Sequence, residues 1–270
     1  MSEAAFGQYY PSNSFVHKCD PRMKILFLIV YIVAIFLSQN FYALGACAAL
    51  FVVIACFSGI PLRSLLRSVK GILFLLLFMT VLNLFLYKGE TVLWEWKFIL
   101  ITKEAVYYTI FLAVRLFLLV LGSSVLTLTT TPVSLADGIE SLLSPLKILR
   151  FPVHELALIM SIALRFIPIL TDETARIMNA QKARGADFET GGLAKRVKAI
   201  VPTLIPLLIS AFRRADELGD AMDARCYSGS KVRTKYKKLT FSWRDFLALF
   251  VGAVLLTGII LLRIYTPALI

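Results

Sequence analysis

Three observations predict an all-α, polytopic membrane fold with about five transmembrane helices and a layer of about three amphipathic helices between spans four and five. The 270-residue chain is 59% hydrophobic, with a mean hydropathy of +0.79. Its apolar residues fall in long charge-free blocks, the pattern of helices solvated by lipid. Between the last two blocks lies a segment too charged to span a bilayer and too apolar to be a plain solvated loop.

No charged residue occurs from Ile25 to Leu62. As helix those 38 positions would measure about 57 Å, close to two bilayer crossings. Ser38-Gln39-Asn40 is the natural turn between spans one and two. A basic loop with Arg63, Arg67 and Lys70 leads to a third span from Gly71 to Tyr87. The stretch from Lys88 to Glu104 balances three lysines against three glutamates and carries Trp94 and Trp96, which suit a membrane interface. A fourth span runs from about Ala105 to Thr129, and a fifth from Phe246 to Leu262. The expected domains are a four-helix membrane region over 1–130, amphipathic helices over 131–241 and a closing span over 242–270.

The formal charge of +12 is that of a membrane protein retaining Lys and Arg on its cytoplasmic side, and no nucleic-acid partner is expected. Lys18, Arg22 and Lys24 precede span one, Arg63, Arg67 and Lys70 separate spans two and three, and seventeen Lys/Arg lie between Thr131 and Ser242. All fall on one face of a five-span topology. The positive-inside rule makes that face cytoplasmic, with the N-terminus inside and the C-terminus outside the membrane. Met1 to Asp20 contain no apolar h-region, so the first span is expected to act as the targeting signal. Cys19, Cys47, Cys56 and Cys226 are too scattered for a disulfide framework or a metal site and read as small packing residues.

Within the charged segment, two stripes keep strict four-three spacing. One comprises Leu156, Met160, Ala163, Ile167, Leu170, Thr174, Ile177 and Gln181. The other comprises Val197, Val201, Leu204, Leu208, Ala211, Ala215, Leu218 and Met222. Each predicts an amphipathic helix, and a shorter stripe, Leu135, Ile139, Leu142, Leu143 and Leu146, precedes them. Leu156 to Leu170 and Ala199 to Phe212 are poor extra spans, since the first contains Arg165 and the second has only 14 residues. Pro168, Pro202 and Pro206 interrupt the pattern and imply either bends or a division into shorter helices.

Each long stripe ends on the same hexapeptide pattern. Ala180-Gln181-Lys182-Ala183-Arg184-Gly185 and Ala221-Met222-Asp223-Ala224-Arg225-Cys226 both read A-x-x-A-R-small, 41 residues apart. The chemistry is that of a helix end: arginine favours the negative pole of the macrodipole, and Gly185 suits a left-handed cap. Two copies closing two amphipathic helices point further, to paired contacts with a partner that is itself a dimer. Cys226, standing where a glycine would be expected, leaves the second cap less defined than the first.

These twin motifs resemble the Ala-Arg-Gly signatures of the T component of energy-coupling factor (ECF) transporters. The resemblance extends along nearly the whole chain in order: Asp20-Pro21-Arg22-Met23-Lys24 before span one, Thr129-Thr130-Thr131-Pro132 after span four, and Phe151-Pro152-Val153-His154-Glu155 leading into Leu164-Arg165-Phe166-Ile167-Pro168. It implies a non-catalytic subunit that joins two ABC-type ATPases, as a homodimer or heterodimer, to a substrate-binding S component that selects a vitamin or metal ion. Ala183, Arg184, Gly185, Ala224, Arg225 and Cys226 would contact the ATPases. No cofactor is expected on this chain, ATP and Mg being used by the partner ATPases.

Other residues allow two readings. Asp20, Pro21 and Arg22 are ordinary helix-start chemistry, or a specific contact to the coupling segment. Arg115 lies within span four, where a charge costs about 2.5–3.5 kcal/mol on insertion scales. It belongs either to a substrate pathway or to a structural hydrogen bond with a neighbouring helix, the second favoured by the expectation that it can snorkel partly towards one end of the span. Neither a P-loop, an H-E-x-x-H motif nor a G-x-S-x-G elbow occurs. A conventional permease would line several spans with polar groups, and only Arg115 qualifies. A membrane enzyme or a non-transport scaffold would leave the twin motifs incidental.

Overall fold

The computed structural model describes residues 9–86, 91–96, 99–145, 152–186, 192–227 and 241–265. In chain order they form α1 (Pro21–Leu37), α2 (Phe41–Ser58), α3 (Leu62–Leu86), β1 (Val92–Trp96), β2 (Ile99–Thr102), α4 (Lys103–Thr129), α5 (Pro132–Leu142), α6 (Val153–Ala183), α7 (Leu193–Ala224) and α8 (Trp243–Tyr265). The fold is helical apart from one antiparallel hairpin, in which Glu95 pairs with Leu100 and Trp96 with Ile99. The sequence reading had a plain loop there. The hairpin pairs backbone groups that would otherwise need water.

Four helices, α2, α3, α4 and α8, are long and apolar enough to cross a membrane. The fifth apolar helix, α1, has 17 residues, at the lower limit of a crossing. Helix starts differ from the expected spans in a consistent way. Arg63, Arg67 and Lys70 lie in the first turns of α3, where a loop was expected. Long basic side chains can reach the interface from inside a helix, so positive charge there does not mark a break.

The chain divides into two compact units, one of which contains α1–α5, the hairpin and α8. In it α1 touches α2, α4, α5 and α8, while α3 packs chiefly on α4. Tyr31, Ala34, Ile35, Leu44, Cys47, Leu118 and Leu121 belong to its core. Lipid tails are as apolar as leucine, so association here depends on close packing rather than escape from water. Small residues supply it. A Cβ at Gly122 of α4 would lie 2.7 Å from the Tyr31 ring, and one at Gly138 of α5 would lie 3.1 Å from Pro21. On α5 the buried positions are Ala136 and Gly138, not the leucines of the predicted stripe, because α1 approaches at backbone distance. Leu146, the last member of that stripe, lies outside the described residues.

The second unit comprises α6 from His154 and α7. Both helices run unbroken through their prolines, at 31 and 32 residues. Arg214 of α7 lies 3.6 Å from Glu173 of α6, and the Gln181 amide of α6 donates to the Pro202 carbonyl of α7 at 3.4 Å. As the chain advances along α6 from 173 to 181, its partners retreat along α7 from 214 to 202, so the two helices run in opposite senses. The N-terminal parts of both stripes are exposed, Ile167 by 46% and Leu208 by 59%. Each is an apolar surface within this unit that neither α6 nor α7 buries.

Candidate functional site

The two hexapeptides fold into the same helix end. An α-helix leaves its last carbonyls without intrahelical donors, and a residue in left-handed conformation lets the chain turn back to satisfy them. At the end of α6, Gly185 has φ +86°. Its N–H donates to the Lys182 carbonyl at 3.0 Å, and the Ala186 N–H donates to the Gln181 carbonyl at 2.9 Å. At the end of α7, Cys226 has φ +56°. Its N–H donates to the Asp223 carbonyl at 2.8 Å, and the Tyr227 N–H to the Met222 carbonyl at 3.0 Å. Both are complete Schellman closures, and Cys226 is the one non-glycine residue at positive φ among the described residues.

Arg184 and Arg225 occupy the equivalent position, immediately before the left-handed residue. Both are exposed, as are Ala183, Gly185, Ala224 and Cys226. Each guanidinium therefore stands on a rigid turn with alanine beside it, five donors in a planar fork and nothing bulky to shield it. Because the helices run oppositely, the two arginines fall at opposite ends of the pair. From Pro202, beside the α6 end, to Arg225 is about 35 Å of helix.

A second cluster holds the start of α1. Asp20 is the N-cap, its carboxylate accepting from the Arg22 N–H at 2.9 Å, and Pro21 fills the first helical position. The Asp20 N–H donates to Oδ1 of Asp245, 225 residues away, at 2.8 Å. The other oxygen of Asp245 accepts from the Ser242 N–H at 2.7 Å, the acid-to-N-cap half of a capping box at the start of α8. One buried carboxylate, 1% exposed, thus serves the first and the last helix. Lys24 Nζ donates to the His17 carbonyl (3.3 Å), the Thr129 carbonyl (3.1 Å) and Thr130 Oγ1 (3.3 Å), tying α1 to the end of α4. Burial, with the Asp245 carboxylate adding to it, pushes the Cys19 thiol above its ordinary range. Arg22 lies over the ring of Phe241 at 5.8 Å.

Sequence reasoning passed over Asp245, although Ser242-Trp243-Arg244-Asp245 carries the S-x-x-D spacing of a helix start. Arg115 donates to the Ser38 carbonyl, at the C-cap of α1, and its guanidinium carbon lies 4.6 Å from the centre of the Phe111 ring. A carbonyl at a helix C-terminus carries partial negative charge, so the guanidinium is placed where it is least costly. Pro168 lies within α6 and takes the intrahelical donor away from the Leu164 carbonyl. Of the four cysteines, Cys19 and Cys47 are buried, whereas Cys56 and Cys226 are exposed and do not serve as packing residues within this chain.

The chain combines membrane-length helices with two long amphipathic helices that end on matched arginine turns. The sequence model of the cobalt transport protein family CbiQ matches residues 12–236. The chain is 47% identical to the energy-coupling factor transporter transmembrane protein EcfT of Ruminiclostridium cellulolyticum, over 97% of this chain and 98% of that one. It is 46% identical to the EcfT of Brevibacillus brevis (94% and 96%) and 43% identical to that of Streptococcus thermophilus (97% and 98%). The chain belongs to this family of energy-coupling factor transporter transmembrane proteins.

Proposed function

We propose that this chain is the coupling subunit of a bacterial importer for a vitamin or metal ion, in which Arg184 and Arg225 each engage one of two ABC-type ATPase subunits. The observation that carries the reading is the repetition of one helix-end geometry at opposite ends of a helix pair. Two equal contacts that far apart suit a partner with two equivalent grooves. ATP and Mg belong to the ATPases. Their closure displaces the two tips, and the exposed apolar faces of α6 and α7 pass the displacement to an S component that holds the substrate. In this reading α1 is a fifth span, the N-terminus and the residues between spans four and five are cytoplasmic, and the C-terminus is outside, as the positive charge of the short basic segments favours.

The test is co-purification from membranes that also express the ATPases. Truncating a buried interfacial arginine costs on the order of 2–4 kcal/mol. Replacing both Arg184 and Arg225 by alanine should therefore leave the chain in the membrane and strip the ATPases from it, with loss of uptake. Retention of both ATPases and of normal uptake in the double variant would refute the assignment.

A further inference from the structure

Proline at position 206 has no N–H, so the carbonyl four residues earlier, that of Pro202, has no helical donor. Pro202 lies on the exposed surface of α7, so the freed carbonyl is open to any donor that reaches it, water included. Gln181 of α6 supplies the missing donor, its Nε2 lying 3.4 Å from the Pro202 oxygen. A carbonyl only accepts, so the amide must present its nitrogen here. Thr203, the next residue, is buried, the one such side chain among the described residues of α7. Its neighbours Pro202 and Leu204 are exposed. Arg214 also lies 3.6 Å from Glu173, a contact between partly exposed groups that contributes little.

Gln181 has a second role in the same place. Its backbone carbonyl accepts the Ala186 N–H that closes the turn carrying Arg184. One residue thus holds the α6 tip by its main chain and α7 by its side chain. The equivalent residue of the other tip is Met222, which has no donor to offer.

We propose that Gln181 is a positioning residue, which uses the carbonyl freed by Pro206 to fix the placement of the Arg184 tip relative to the Arg225 tip. The proposal rests on the reading of the two arginines as paired docking tips and adds what sets their separation. The α6 end is tied to α7 by an amide, whereas the equivalent side chain at the α7 end is the thioether of Met222.

The test uses the full chain, without ATPases, in lipid nanodiscs. Nitroxide labels are placed at native Cys226 and at Asn179→Cys, with Cys56→Ala removing the other exposed thiol, and their separation is read by pulsed electron resonance. A single narrow distance peak is expected. Gln181→Met, which keeps the length and removes the donor, should abolish that narrow peak. Pro206→Ala returns an N–H to the Pro202 carbonyl and competes with Gln181, so Gln181→Met should change nothing further in that background. A Gln181→Met distribution superimposable on the parent would overturn the proposal, and so would a Gln181→Met effect persisting undiminished beside Pro206→Ala. Because no ATPase is present, this result is independent of whether the arginines dock one.

Discussion

Cys226 sits in a backbone conformation that L-residues avoid, because the Cβ crowds the following carbonyl. Glycine would adopt it freely, so Cys226→Gly should stabilise the end of α7 by roughly 0.5–1 kcal/mol, less the extra freedom glycine gains when unfolded. The converse change, Gly185→Ala, should destabilise the α6 end by about 1 kcal/mol, since a Cβ there meets no neighbour but the φ of +86° remains. Thermal unfolding of the two variants in detergent, followed by helical circular dichroism, should show opposite shifts. The left-handed cap at Gly185 was legible from residue type. That at Cys226 was not, because small size says nothing of φ; only the repetition of the hexapeptide suggested it. The bond from Arg115 to the Ser38 carbonyl was half legible: a charge in a span demands a partner, but backbone acceptors carry no sequence label.

Helix by helix, period and charge revealed the elements well, and contacts poorly. The four-three stripes of α6 and α7 emerged as single helices, since each proline within a long amphipathic pattern removes a single donor and the remaining intrahelical bonds carry the helix through. The same logic hid the way α1 packs. Its neighbours approach through Gly122, Gly138 and Gly252, and hydropathy gives glycine no weight. Gly122→Ala tests that packing. The added Cβ would fall 2.7 Å from a ring whose hydroxyl donates to the Cys47 carbonyl at 3.4 Å, so Tyr31 must leave that carbonyl or α4 must move away. Overpacking of this kind costs about 1–3 kcal/mol. The midpoint of unfolding in mixed micelles should fall accordingly, while Gly71→Ala, inside α3 with open space around it, should leave it no lower and by helix propensity slightly higher.

For the molecule as a whole, Cys226 offers a direct test of the orientation proposed from the short basic segments. With Cys56 replaced by alanine, and without ATPases, an impermeant maleimide should modify Cys226 in inside-out vesicles and spare it in intact cells. Cys19, buried and with its thiol pushed above the ordinary range, should stay unmodified in both. Modification from outside the cell would reverse the topology. The carboxylate of Asp245 has a consequence in time as well as in space. It completes the cap of the first helix from the head of the last, 225 residues downstream. At ribosomal rates of 5–20 residues per second, roughly 10–45 s pass between synthesis of the two partners. Throughout that interval the nascent bundle carries an unfinished seam, exposed to membrane proteases and foldases, and the arrival of the final helix is the event that seals it.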